Sequence, residues 1–408
     1  MMRQMGELGL RSNVRQISLL LVVNIFVGSM VGLERTVLPL IGEEQFALTS
    51  TSAVLSFIIA FGFAKAILNY FAGSIADRFG RRKVLIWGWT IGILVPVLVI
   101  TAHAWWVIVV ANILLGINQA LAWSMTVNMK IDLVKPNQRG LIIGLNEAVG
   151  YIGLSLAAMF SGYVAASYSV RPEPFYFGIL FAVVGLLLSF GVKSTEQYLQ
   201  TQASLTHRER PNLTARQVFA ITTWQDRTLA SCTFAGIATN LKDGMAWGLF
   251  PIFFTMKGLS LQQLSTIITV YPVAWAITQL LTGYVSDRIG RKWLIVTGML
   301  LQATSIWLLL LADSYIVWLV LAILLGVGTA LVYPTLLAAV SDVAHPSWRA
   351  SSLGIYRFWR DSGYAFGAIL AGIITDLFSI HMAIGLCATL PFLAGLFSIW
   401  RMKETIHR

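Results

Sequence analysis

Residues 73–83 read GSIADRFGRRK, and residues 283–292 read GYVSDRIGRK. The first stretch holds one acid and four bases within eleven residues, and the second nearly repeats it. Gly73, Asp77, Arg78, Gly80, Arg81 and Arg82 align with Gly283, Asp287, Arg288, Gly290, Arg291 and Lys292 at a shift of 283 − 73 = 210. The same shift carries Gly116 to Gly326, Ala120 and Leu121 to Ala330 and Leu331, Arg139 to Arg349, and Gly144 to Gly354. A single register over about seventy residues marks a tandem duplication of the chain.

The duplicated loops sit in an oily sequence. Of 408 residues, 57% are hydrophobic and 12% charged, with a mean hydropathy of +0.75, where a soluble chain is about a quarter charged. Apolar runs of spanning length begin near Ile17, Ser50, Val84, Trp105, Leu141 and Phe175, and again near Leu229, Leu261, Trp293, Tyr315, Ala350 and Met382. Helices are the structure these runs predict, because every backbone group in lipid must be paired internally and no barrel-type alternation appears. The halves are therefore expected to be two six-helix bundles, 1–192 and 228–408, joined by a cytoplasmic linker over 193–227. Within that linker LTARQVFAITTW has helical apolar spacing suited to a membrane surface.

Basic residues fall on alternate connections: Arg3, Arg11 and Arg15, Arg78 to Lys83, Lys130 to Arg139, Arg208 to Arg227, Arg288 to Lys292, Arg349, and Arg401 to Arg408. By the positive-inside rule both termini are cytoplasmic. The net charge of +11 is then an orientation signal and not a nucleic-acid footprint. The first apolar run continues to about Leu40 without a cleavage site of signal-peptide form, so it is read as a retained span. Cys232 and Cys387 lack metal-ligand spacing and are read as packing residues.

The two loops resemble the motif that joins spans two and three, and again eight and nine, in the major facilitator superfamily of secondary transporters, here of bacterial type. The resemblance covers essentially the whole chain and implies twelve transmembrane helices in an all-α polytopic fold, two bundles related by pseudo-two-fold symmetry. It further implies that Asp77 and Asp287 are latch acids with Arg78, Arg81, Arg288 and Arg291 as partners, forming in one state of the cycle and breaking in the other. The alternative is that these bases only fix topology. The resemblance also places spans one, four, seven and ten around a central cavity. Asn24, Asn118, Gln119, Trp123, Asn128, Asn240, Trp247 and Tyr333 are then its expected wall, with Arg35 and Arg360 as charged substrate contacts; amides and rings together suit an amphiphilic solute.

Charges inside spans are costly and point to function. Five bases (Arg35, Lys65, Lys242, Arg357, Arg360) and four acids (Glu34, Glu147, Asp243, Asp361) lie there. Lys65 is expected to meet Asp361 across the halves as a gate, with an internal Arg357–Asp361 pair as the alternative. Adjacent residues on a helix point about 100° apart, so each of the doublets Glu34–Arg35 and Lys242–Asp243 is expected to show at most one member squarely to the cavity. Glu34, Glu147 and Asp243 are the proton-coupling candidates, Glu34 foremost. Two departures from the drug–proton antiporter branch weaken that role: Asn112 stands where the branch carries an arginine, and GLNEAVGYIGLSLAAMFSGY lacks the branch's proline.

The sequence thus predicts a secondary active transporter moving a small organic solute by alternating access, with proton-coupled efflux the first expectation. Import or exchange of an organic anion is the alternative; from a different class, a transporter-like sensor or a lipid scramblase also fits the fold. The expected partners are a small-molecule substrate, protons and the lipid bilayer, with the protein acting as a monomer in the bacterial inner (plasma) membrane. No nucleic-acid partner, cofactor or metal is expected. An enzyme is not expected either, since nucleotide-binding loops and nucleophile constellations are missing from the sequence.

Overall fold

The computed structural model describes residues 7–135, 138–198, 213–344 and 348–405; the side chains of several helical positions, Asp77 and Asp287 among them, lie outside that description. Twelve long helices dominate, and among the described residues there is no strand. The first half holds α1 (Val14–Glu44), α2 (Ser56–Phe79), α3 (Arg81–Thr101), α4 (Trp105–Leu133), α5 (Arg139–Ser167) and α6 (Glu173–Gly191). The second holds α7 (Arg227–Met256), α8 (Leu261–Ile289), α9 (Lys292–Leu311), α10 (Tyr315–Val343), α11 (Arg349–Leu377) and α12 (Ile380–Arg401). Among the described residues, nine helices are long and apolar enough to cross a membrane. The remaining α2, α7 and α11 hold Lys65, Lys242, Asp243, Arg357, Arg360 and Asp361, charges that lower their hydropathy. The outer surface is apolar, with Leu281, Leu311 and Trp400 66%, 80% and 80% exposed, as a hydrocarbon surround requires.

Local chemistry sets the helix ends. Gly80 and Gly290 adopt φ of +88° and +105°, a backbone region that glycine reaches without strain, and they break α2 from α3 and α8 from α9. Behind each turn a carboxylate faces the next helix N-terminus: Glu196 accepts from the Arg81 N–H at 3.0 Å, and Glu404 accepts from the N–H groups of Arg291 and Lys292 at 2.7 and 3.1 Å. Such an acid complements the positive end of the helix dipole. Ahead of α7, a short helix (Ala215–Ala220) and a π turn (Ile221–Gln225) lead to Asp226, whose side chain accepts from Thr228 and Leu229. The apolar linker segment is thus a short helix that runs into the seventh span.

Within each half, small residues let helices touch backbone to backbone. A Cβ on Gly28 or Gly32 of α1 would collide with the backbone of α5 at Gly150 and Leu154, and one on Gly363 of α11 would lie 2.5 Å from the Ile237 carbonyl of α7. The halves meet through α2 against α11 and α5 against α8. Their two ends differ. Near the basic loops, Gly144 and Gly354, equivalent at the shift of 210, face open space, with no atom within 4 Å of an added Cβ. Toward the opposite face, a Cβ on Gly62 would lie 2.6 Å from the Ala365 nitrogen and one on Gly372 2.7 Å from the Ser52 Cα.

A carboxylate fastens that closed face. Ser50 Oγ and the N–H groups of Thr51 and Ser52 donate to Asp376 at 2.7, 2.6 and 2.9 Å, joining the start of a one-turn helix, Thr51–Val54, to the end of α11. Asp376 is exposed, so these bonds contribute about 1–2 kcal/mol to closure. Asp376→Ala is expected to shift the closed-to-open ratio of this face by about 5- to 30-fold. The labelling rate of Thr51→Cys by an impermeant thiol reagent should rise accordingly, and an unchanged rate would remove the latch.

Candidate functional site

Between the halves lies a cavity of about 690 Å³, its open mouth included. Lys65 and Asn69 of α2, Trp123 of α4, Glu147 and Tyr151 of α5, Trp247 of α7, Tyr333 of α10, and Arg357, Arg360 and Tyr364 of α11 all line it. The rings form two groups: Tyr151 lies 5.6 Å from Trp123 and 6.2 Å from Tyr333, and Trp247 stacks on Tyr364 at 4.6 Å.

The charges are distributed unevenly over this wall. The Lys65 ammonium lies 5.2, 5.6 and 5.9 Å from the rings of Tyr364, Phe61 and Trp123, and among the described residues it has no carboxylate within ion-pair distance. The expected Lys65–Asp361 gate is therefore not formed. Asn69 replaces it: its Nδ2 donates to Asp361 at 2.6 Å, and its Oδ1 accepts from Ser124 at 2.9 Å. Asp361 also receives Asn240 at 3.3 Å and Arg360 Nε at 2.8 Å. The alternative Arg357–Asp361 pair is likewise absent among the described residues, and Arg357 faces the cavity instead. Neighbours in sequence do pair, as Arg360–Asp361 and Lys242–Asp243 show. The long stems of arginine and lysine swing across the divergence of adjacent Cα–Cβ bonds.

Glu147 is the one acid lining the cavity among the described residues. Trp123 Nε1 and Asn146 Nδ2 donate to its Oε1 at 2.8 and 3.1 Å. Asp243 lies elsewhere, sealed within the second half, where its Oδ1 accepts from Lys242 Nζ at 2.6 Å and from the Tyr271 hydroxyl. Lys242 also donates to Thr329 at 2.8 Å. Glu34 and Arg35 are buried beyond the closed end of the cavity, 2% and 1% exposed. The Arg35 guanidinium lies 4.0 Å over Trp247 and 4.9 Å over Phe61, and its Nε, Nη1 and Nη2 have no hydrogen-bond partner. Glu34 sits beside Arg35 and Asn112.

Of the expected wall, Gln119, Trp123, Trp247, Tyr333 and Arg360 line the cavity, whereas the asparagines tie helices together. Asn24 donates to the Asn146 carbonyl, Asn118 to that of Gly88, and Asn240 to Asp361; the Asn128 carbonyl accepts from Arg81. Phe61, Asn69, Tyr151 and Tyr364 were missed, because spans two, five and eleven were read for their charges only. Lys130 was read as a loop base, but it is a buried residue of α4, its ammonium 3.4 Å from the Leu20 carbonyl.

Near the basic loops, Arg81 pairs with Asp132, and Arg291 Nε lies 3.2 Å from Asp342. Both pairs stay within one half. The acids are equivalent, 342 − 132 = 210, and DLVKPNQR at 132–139 with DVAHPSWR at 342–349 carries the signal that could have found them. Arg78 and Arg288 are exposed at the ends of α2 and α8.

The sequence has relatives among known proteins. Multidrug resistance protein 2 of Bacillus subtilis is 23% identical over 405 residues, 96% of each chain. Inner membrane transport protein YnfM of Escherichia coli is 28% identical over 174 residues, 42% of each. A probable 4-methylmuconolactone transporter of Cupriavidus pinatubonensis is 22% identical over 353 residues, 83% of this chain and 79% of its own. The profile of the Major Facilitator Superfamily matches residues 19–241 and 232–408, so this multi-pass membrane protein, a transporter and not an enzyme, belongs to that superfamily.

Proposed function

We propose that the protein carries a small amphiphilic organic solute by alternating access, with proton movement coupled through Glu147. The observation that supports this is the cavity itself: rings and charges from both halves enclose it, Gly144 and Gly354 near the basic loops face open space, and Asp376 fastens the opposite face. Rocking the halves about this site would expose it to either side in turn. The basic loops favour a cytoplasmic mouth and cytoplasmic termini, and a relative is named for the inner membrane. The fold needs no second copy to enclose its cavity, which favours a monomer.

Efflux is the direction that the relatives named for multidrug resistance favour. Import or exchange of an organic anion is the second reading, favoured by Lys65, Arg357 and Arg360 against the single acid Glu147 on the wall. Purified protein in liposomes, given a panel of neutral, cationic and anionic aromatic solutes with and without a pH gradient, separates these. Gradient-dependent movement of at least one solute is expected, and equal rates in protein-free liposomes for the whole panel would defeat the proposal.

A further inference from the structure

We infer that the cavity selects a planar organic monoanion, and that this anion and the proton on Glu147 bind together instead of competing. The inference rests on the transporter reading above and assigns the substrate's charge. Arg360 is neutralised by Asp361 at 2.8 Å. That leaves Lys65 and Arg357 on the wall against Glu147, a surplus of one positive charge, (+1) + (+1) + (−1) = +1.

The cations that surround the single carboxylate come from different helices. Glu147 interacts with Lys65 of α2, Lys130 of α4 and Arg357 of α11, and with the phenols of Tyr151 on its own helix and Tyr333 of α10. Neither Lys65 nor Arg357 has an ion-pair partner among the described residues. A carboxylate of the substrate supplies one, and charge-assisted bonds to an ammonium and a guanidinium are about twice as strong as neutral ones. The flat apolar body then has the rings of Trp123, Tyr151, Tyr333 and Tyr364 to lie against.

The charge balance fixes the sign of coupling. Protonating Glu147 raises the surplus from +1 to +2 and strengthens anion binding; by linkage, a bound anion strengthens proton binding by the same factor. Anion and proton therefore cross in the same direction. An organic cation would compete with the proton and cross against it.

Benzoate, benzylammonium and benzyl alcohol test this, with binding to the full-length protein in nanodiscs read from tryptophan fluorescence, since Trp123 and Trp247 line the cavity. Benzoate is expected to bind at least about tenfold more tightly than either analogue. Lys65→Gln and Arg357→Gln should each weaken benzoate by about tenfold or more, while Lys65→Arg keeps it. Neither glutamine variant strands a buried carboxylate, and a melting curve of each checks folding. Glu147→Gln, which removes the negative charge as protonation would, should bind benzoate more tightly than the wild type. Equal binding of the three solutes, benzoate binding that ignores both glutamine variants, or no benzoate binding at all overturns the inference. Gradient-driven movement of benzylammonium or benzyl alcohol in the liposome panel would leave the transporter reading standing while this one fell.

Discussion

Asp243→Asn is expected to lower the stability of the folded protein by about 3–5 kcal/mol, because it leaves the Lys242 ammonium buried without a counter-ion. Both side chains are completely buried, 2.6 Å apart. The amide keeps the shape and can still accept from Tyr271, so the loss is electrostatic and not steric. Replacing both partners together, as Lys242→Met with Asp243→Leu, should recover most of the loss, since apolar residues of similar volume often serve as well as a buried pair. Thermal unfolding of the purified protein in detergent, followed by size-exclusion recovery, measures both. An unchanged midpoint for Asp243→Asn would show that the pair is not the support described here.

Glu147→Gln is expected to abolish accumulation driven by a pH gradient while leaving solute exchange near the wild-type rate. One coupled proton supports about tenfold accumulation for each unit of pH difference, so the variant should lose that factor per unit. The glutamine Oε1 still accepts from Trp123 and Asn146, whose bonds to Glu147 are 2.8 and 3.1 Å long, so the wall keeps its shape. Accumulation and counterflow are to be measured in the same liposomes. Retained accumulation would transfer the coupling role to Glu34, which is walled off in this conformation but lies on the first span.

The fold was legible because its evidence is periodic. A constant shift of 210 links residues whose roles the structure then shares, as with Gly80 and Gly290 at positive φ, or Arg81 and Arg291 on equivalent acids. The cavity was legible only in part. Trp123, Trp247, Tyr333 and Arg360 lie where residue type and span suggested, whereas Asn24, Asn118 and Asn240 are turned toward neighbouring helices. A buried amide has to satisfy its hydrogen bonds somewhere, and a backbone carbonyl on the next helix serves as well as a solute; which one it meets depends on helix rotation, which a single sequence does not encode. Pairing turns on axial register as well. Lys65 and Asn69 share a face of α2 one turn apart, and it is Asn69 that stands level with Asp361. The side chains of Asp77 and Asp287 lie outside the described residues, and a latch through them is a proposal from the sequence.

Arg35 gives the closed face a thermodynamic counterweight. Its guanidinium is walled in by Trp247 and Phe61 with none of its three nitrogens hydrogen-bonded. Burying a cation costs several kcal/mol, of which the neighbouring Glu34 carboxylate and stacking on two rings return a part. That penalty belongs to the conformation in which the Trp247 wall is shut, and it is relieved once water or an anion reaches the nitrogens. The Asp376 clasp and the close glycine contacts pull the far face together, and the stranded guanidinium pushes it apart. A transporter whose two conformations must stay nearly equal in free energy can hold that balance by building the opposing force into its own closed state.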